Sequence, residues 1–252
     1  VHGIVGNKAA VFPMQLHGLD VDPILTVHFS NHPGYGSFRG TTQSASEFRE
    51  IIEGLRGNSL LAEYTHVLSG YARSADLLRE LALTVQEIKS VNPNVHFFCD
   101  PVLGDNGKLY MPEENVAAYR DLLLPLASVI TPNQFEAEVL SGVEIVDEES
   151  AIRACDALHS LGPSTVVITS ATLDGDTFAV VASALGDGST RRYRLDLPRV
   201  AGDFVGCGDL LASLLLSKLH VHNGDLPTSL EEACAGMHAV ICRTSEAKSR
   251  EL

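Results

Sequence analysis

Val95-His96-Phe97-Phe98-Cys99 runs directly into Asp100-Pro101-Val102-Leu103-Gly104-Asp105. A short apolar run that breaks off into carboxylates, proline and glycine reads as a strand followed by a loop. The pattern recurs along the chain. Ile24–Phe29, Val67–Leu68, Val129–Ile130 and Val166–Ile168 are also short and apolar, and they also end in polar residues. Longer stretches at helical spacing lie between them. Ser46–Leu55 puts Phe48, Ile51, Ile52 and Leu55 on one face, and Ser74–Ser90 does the same with Leu77, Leu78, Leu81, Val85 and Ile88. Asp147–Leu161 opens on an N-cap residue and carries Ile152, Cys155 and Leu158. This alternation predicts an α/β fold, with a mostly parallel central sheet flanked by helices on both faces. Phe178–Ala182 and Arg191–Leu195, with Gly186-Asp187-Gly188 between them, predict an antiparallel hairpin. Thr228–Lys248 predicts a final helix with Glu231 and Glu232 near its start. No repeat, low-complexity tract or linker divides the chain, so residues 1–252 read as one domain.

Composition narrows the function. At 252 residues and 45% hydrophobic, the chain can bury a sizeable core. Its net charge of −14 argues against a general nucleic-acid or anionic-membrane binder, but not against an anionic substrate held by backbone amides and a metal. Five cysteines are scattered without a C-x-x-C pair, which suggests reduced thiols and a cytoplasmic protein. There is no apolar run of membrane-spanning length. The P-loop, the G-x-S-x-G elbow and the H-E-x-x-H zinc motif are all missing from the sequence.

The stretch that points to chemistry is Val205-Gly206-Cys207-Gly208-Asp209, followed by Leu210-Leu211-Ala212-Ser213-Leu214-Leu215-Leu216. The glycines let a ligand approach bare amides, and the apolar run behind them reads as a buried helix. Those amides then sit at a helix N-terminus, a ready anion site, with the Asp209 carboxylate on the first turn beside them. A base against an anion hole suits phosphoryl transfer to a hydroxyl. By itself the stretch equally suits a helix that carries a favourable N-terminal charge. Cys207 could have a lowered thiol pKa at such a position, but its expected contribution is its backbone amide.

In a parallel sheet, ligands bind beyond the C-terminal strand ends, and the polar residues gather there. Asp100 and Asp105 are oxygen donors of the kind Mg²⁺ prefers, although Asp105-Asn106-Gly107 is also good turn chemistry. Asn133 and Glu136, at i and i+3, could serve phosphate and metal-bound water, or could form a capping box. Thr131, Thr169, Ser170 and Ser69-Gly70-Tyr71 lie at further strand ends. Phe29-Ser30-Asn31-His32-Pro33-Gly34-Tyr35-Gly36 could hold a planar ring or be an ordinary glycine-rich turn.

Taken together, these residues resemble the pyridoxal kinases of the ribokinase-like superfamily over essentially the whole chain. The resemblance is carried by Val5–Ala10, Phe29–His32, Cys99–Asp105, Ile130–Glu136, Val167–Ser170 and the G-C-G-D of 206–209. It implies a ribokinase-like fold and ATP-dependent phosphorylation of the 5′-hydroxymethyl group of pyridoxal, pyridoxine or pyridoxamine. By that pattern Asp209 is the base, and the amides of Gly206, Cys207, Gly208 and Asp209 stabilise the transferring phosphoryl group. Asp100, Asn133, Glu136, Thr169 and Ser170, with Val200, Ala201 and Gly202, would face ATP. Asp105, Thr131 and Glu136 would organise Mg²⁺ or another divalent cation, together with a monovalent cation (K⁺ or Na⁺). Val27, Phe29, His32, Pro33, Tyr71 and Val205 would line the ring pocket, with Tyr110 on a flap. A homodimer is implied as well.

The chain departs from the family pattern in four places. The pattern has a strand before Val1 ending in a serine, a threonine where Pro33 stands, a threonine or alanine where Cys207 stands, and a longer connection than Leu185–Thr190. The competing expectations are a hydroxymethylpyrimidine kinase of the same superfamily and a catalytically silent binder of B6 vitamers or nucleotide.

Overall fold

The computed structural model describes residues 2–173, 177–186, 188–247, 249 and 252. In chain order the first elements are α1 (Asn7–Leu16), β1 (Val27–Phe29), β2 (Gly40–Thr42), α2 (Ala45–Gly57), β3 (His66–Ser69), α3 (Ala75–Val91) and β4 (His96–Cys99). Then come β5 (Gly104–Asp105), β6 (Lys108–Leu109), α4 (Glu113–Ala118), β7 (Val129–Ile130), α5 (Gln134–Ser141) and α6 (Glu148–His159). The chain finishes with β8 (Thr165–Ala171), β9 (Thr177–Gly186), β10 (Ser189–Pro198), α7 (Cys207–Val221) and α8 (Leu226–Glu246).

Six strands form the central sheet in the order β10-β9-β8-β7-β4-β3. β3, β4, β7 and β8 run parallel, and β9 and β10 turn back antiparallel. Four of the predicted strands and the predicted hairpin are therefore present, although Asp187 at the hairpin turn lies outside the described residues. The exception is Ile24–Phe29. Only Val27–Phe29 is a strand, and it pairs antiparallel with β2 in a separate two-stranded ribbon. Apolar β-branched content marked the extended backbone correctly but did not give its partner, which is a tertiary property.

Strand residues alternate between two cores, as the period of two requires. Phe97 and Cys99 of β4, Ile130 of β7, and Val166 and Ile168 of β8 join the core under α2, α3, α5 and α6. Phe98, Val129, Val167, Val180 and Ala182 point the other way, into the core under α1, α7 and α8. Both faces of the sheet are thus covered by helices.

The helix starts follow the sequence. Ser74 accepts the amide of Leu77 at α3, and Asp147 and Ser150 cap α6 reciprocally. α8 spans the predicted final helix as far as Glu246, and Lys248 lies outside the described residues. No described helix is long and apolar enough to cross a membrane.

Candidate active site

The two cores leave the C-terminal ends of the parallel strands open, and the polar residues converge there. Asp100 follows β4 and is 6% exposed; Thr131 follows β7 and donates its Oγ1 hydrogen to Asp100 Oδ1 at 3.2 Å. Asn133 and Glu136 form a capping box at the start of α5. Asn133 Oδ1 accepts the Glu136 amide at 2.9 Å, and Glu136 Oε2 accepts the Asn133 amide at 2.9 Å. The other oxygen, Oε1, accepts the amides of Leu103 at 2.9 Å and Gly104 at 3.3 Å. Asn133 Nδ2 donates to Gly104 O at 2.7 Å. The capping alternative is therefore realised. The same pair also staples the loop after β4 to the end of β7, which puts Glu136 among the site carboxylates.

Asp105 follows its turn alternative. It is exposed, and its carboxylate accepts from the Asn106 amide at 2.7 Å and from Asn106 Nδ2 at 3.1 Å. Asn106 (φ 50°) and Gly107 (φ 74°) make the two-residue turn between β5 and β6, since both left-handed positions match strand twist. Tyr110 follows this hairpin; its amide donates to Leu103 O at 2.8 Å and its ring stays 60% exposed.

Asp209 lies on the first turn of α7, as expected from its place after the glycines. Its Oδ2 accepts the amide of Gly6 at 2.8 Å. Gly6 is itself the residue before α1, so the amide ends of two helices meet at this carboxylate. Gly206 sits at φ 93°, and a methyl there would drive into Ile4 O. A methyl on Gly70 would touch Asp209 Oδ1 at 3.8 Å, and one on Gly208 would touch Asp100 Oδ2 at 3.9 Å. The end of β3, the start of α1 and the start of α7 thus enclose Asp209, and the start of α7 lies beside Asp100. Gly6 was not among the expected site residues. Its signal was a glycine just ahead of a helix start.

Burial dominates the electrostatics. It pushes the Asp100 carboxyl well above the usual range, and the charges of Glu136 and Asp209 push it further. Glu136 rises to about 7 through burial, against the pull of its three amide hydrogen bonds. Asp209 is also raised by burial, with the Gly6 amide pulling it back. The Cys207 thiol is not activated. Burial pushes it to about 11, so the lowered value available to an exposed helix N-terminus does not apply.

The remaining expected residues fall in two places. Thr169 and Ser170 lie where β8 shifts register between Ile168 and Ala171, and the Thr169 amide reaches Pro132 O at 2.9 Å. Bulges of this kind re-aim side chains. Val200, Ala201 and Gly202 sit in the loop from β10 to α7, where Ser245 Oγ donates to Ala201 O at 3.5 Å; Val205 follows, half-buried before Gly206.

Most of the residues expected to line a ring pocket lie on β1, in the loop after it and just after β3. Phe29 is 4% exposed and lies 4.8 Å from the Phe38 ring, with the Arg73 guanidinium over both. His32 is buried and accepts the Gly34 amide at Nδ1, and its ring lies 4.7 Å from Tyr35. Thr26 Oγ1 donates to Tyr71 O at 2.8 Å, tying the segment before Val27 to the one after β3. Pro33 is exposed at the loop tip. A cavity of about 430 Å³ opens beside this loop, lined by His2, Ser30, Asn31, Tyr35, Gly36 and Ser37. Among the described residues, no three His, Cys, Asp or Glu side chains converge on one metal ion.

Comparison with known proteins shows the family. A family model described as phosphomethylpyrimidine kinase matches residues 70–250. A pyridoxal kinase of Arabidopsis thaliana is 45% identical over 97% of this chain and 79% of its own length. One from Homo sapiens is 42% identical over 97% of this chain and 82% of its own. The fold matches a pyridoxal kinase from Leishmania donovani solved in complex with ADP and pyridoxamine. That match has a TM-score of 0.95 and 43% identity, and it covers 100% of this chain and 88% of the other.

Proposed function

The chain belongs to the pyridoxal kinases and phosphorylates vitamin B6 vitamers at the expense of ATP; on that premise we propose that Asp209 is its catalytic base and α7 its anion hole. One observation carries this reading. Asp209 is a half-buried residue whose carboxylate has a raised pKa and accepts a backbone amide at the amide end of a helix. A carboxylate held this way accepts a proton more readily than a solvated one. The 5′-hydroxymethyl oxygen of the substrate attacks the γ-phosphorus, and its proton passes to Asp209. The bond to the ADP oxygen breaks and ADP leaves. The amides of Gly206, Cys207, Gly208 and Asp209 face the charge that develops on the transferring group.

The nucleotide lies along the strand ends, against Asp100, Asn133, Thr169 and Ser170, with Val200, Ala201 and Gly202 toward its far end. The vitamer ring lies between Phe29, Val27, Tyr71 and His32, near Pro33 and Val205, with Tyr110 over it. The donor set fits a hard divalent cation. It is all oxygen, and the charges of Glu136 and Asp209 add to burial in raising the Asp100 carboxyl, a penalty that a cation would relieve. Asp105, Thr131 and Glu136 would organise Mg²⁺ and a monovalent cation, Glu136 through its charge, and the metal would supply charge neutralisation on the phosphates. Because Glu136 already spends both oxygens on amides, its part is to position the β4 loop and add negative charge.

We assign the whole of residues 1–252 to one kinase domain and place the protein in the cytoplasm as a homodimer serving vitamer salvage. Five unpaired cysteines support the compartment, and Phe12 and Leu16, exposed at 64% and 67% on α1, support self-association. The deciding assay follows pyridoxal 5′-phosphate formation from pyridoxal and MgATP, with Asp209→Asn beside the wild type. Loss of the base should lower kcat by about 10²–10⁴ while ATP still binds. An unchanged kcat would remove Asp209 from the role. The family model's description makes a hydroxymethylpyrimidine the competing acceptor, and turnover of it in preference to pyridoxal would favour that reading.

A further inference from the structure

Three consecutive backbone carbonyls follow β3, and a side chain from elsewhere in the chain donates to each. Gly70 O accepts the Tyr119 hydroxyl at 3.3 Å. Tyr71 O accepts the Thr26 hydroxyl at 2.8 Å, and Ala72 O accepts Asn115 Nδ2 at 3.3 Å. Past the sheet the segment has no ladder to fix it, so these bonds set its path. Arg73 comes next, with its guanidinium 5.8 Å from the Phe29 ring centre and 5.6 Å from that of Phe38.

The donors are placed firmly. Tyr119 is fully buried and opens a π turn, Tyr119–Leu123, that continues α4. Such turns are rare and recur at functional sites. Asn115 lies four positions earlier and is also fully buried, so the two side chains leave one face of the helix. Burial pushes the Tyr119 hydroxyl well above its ordinary range, and Cys99, Asp100 and Glu136 push it the same way, so it stays protonated and donates. Thr26 stands directly before β1, and its bond ties that ribbon to the sheet. What these donors hold is the segment beside the base: a methyl on Gly70 would touch Asp209 Oδ1 at 3.8 Å.

Resting on the assignment of Tyr71 to the ring pocket, we propose that Tyr119 and Thr26 are positioning residues for the vitamer, whose hydroxyls fix Gly70 and Tyr71 and thereby the spacing between the pocket wall and Asp209. They act through backbone carbonyls and not on a reacting atom. Removing either hydroxyl leaves a carbonyl without its donor, and the segment shifts to find another partner. The strand ends that carry Asp100, Thr131 and Thr169 are held by other bonds, so the nucleotide side stays in place.

Steady-state kinetics on Tyr119→Phe and Thr26→Val, with pyridoxal and MgATP varied separately, tests the proposal. Each substitution keeps the side-chain shape and removes one donor. KM for pyridoxal should rise about tenfold in each, since a misplacement of about 1 Å costs up to about 10²-fold, while KM for MgATP holds. Asp147→Ala, which weakens a distant helix cap, should lower Tm and leave both KM values unchanged. Thr26 is half-buried, so its variant carries the test even where Tyr119→Phe folds poorly. An unchanged KM for pyridoxal in Thr26→Val, or KM values for both substrates rising together, would overturn the positioning role. Tyr71→Leu separates that failure from one of the pocket assignment. A raised KM for pyridoxal in Tyr71→Leu alone would overturn the positioning role and keep the pocket, whereas an unchanged one would overturn both.

Discussion

Gly206→Ala and Gly208→Ala lie two positions apart and each add one methyl, yet the structure separates their effects. At Gly206 the backbone holds φ at 93°, a conformation that costs an L-residue about 1–2 kcal/mol. The added carbon would also lie far inside contact distance of Ile4 O, so two backbone segments must part by about 1 Å. Overpacking of this kind adds about 1–3 kcal/mol, for a total of about 2–5 kcal/mol. In a chain of this length that lowers Tm by about 5–15 °C. The segment pushed aside carries the Gly6 amide that holds Asp209, so kcat should fall by about 10²-fold as well. At Gly208 the methyl meets Asp100 Oδ2 at an ordinary 3.9 Å and needs no left-handed backbone. Tm should hold, while the methyl fills the space between the α7 amides and Asp100 and turnover falls. Differential scanning calorimetry and the pyridoxal 5′-phosphate assay, run on both variants, read the two effects apart. A Gly206→Ala protein with wild-type Tm and kcat would refute the close approach of Ile4. Equal loss of Tm in both variants would refute the distinction between them.

Other perturbations follow from the same geometry. Glu136 has a folded-state pKa of about 7 against 4.5 for the unfolded chain, so its contribution is full below pH 4.5 and is lost as pH rises through 7. That contribution is on the order of 3 kcal/mol, and urea midpoints of the nucleotide-free protein between pH 4.5 and 8 should lose that slope in Glu136→Gln; parallel slopes would contradict it. Asp147→Ala removes the acceptor of the Ser150 amide at 2.8 Å and should cost about 1 kcal/mol of stability with kinetics unchanged, whereas an altered KM for either substrate would be unexpected. Cys207→Ala should keep turnover near the wild-type value, and the wild-type thiol, raised to about 11, should react slowly with iodoacetamide at neutral pH; rapid inactivation by that reagent would refute its half-buried placement.

The sheet and its helices were legible because each announces itself locally. Phe97, Phe98 and Cys99 are apolar on both faces of a buried parallel strand, and Ser74 and Asp147 cap the helices they precede. Val27–Phe29 looked the same in sequence, but its pairing with Gly40–Thr42 depends on a loop whose geometry no local pattern encodes. α1 was hidden by Pro13 in its interior and by a weak apolar stripe. In the site, Asp100, Glu136 and Asp209 were readable as strand-end and helix-start carboxylates. The double duty of Glu136 as cap and loop staple was not, because Leu103 and Gly104 lie more than thirty residues away in sequence. The same holds for Gly6 and Arg73, whose partners are fixed only by the fold.

The hydrogen bond from Gly6 to Asp209 spans 203 positions of sequence. It sets an order on the birth of activity. A ribosome-bound chain that has emerged through α6 already contains Asp100, Thr131 and Glu136, but it lacks Asp209, the proposed base, and the whole of α7. Domains fold largely as units once their sequence is available, and closing a loop this long is slow compared with forming local helices. Phosphoryl transfer therefore switches on in one late event, when α7 docks against α1. Fragments that end short of Asp209 lack the residue proposed as the base for phosphoryl transfer.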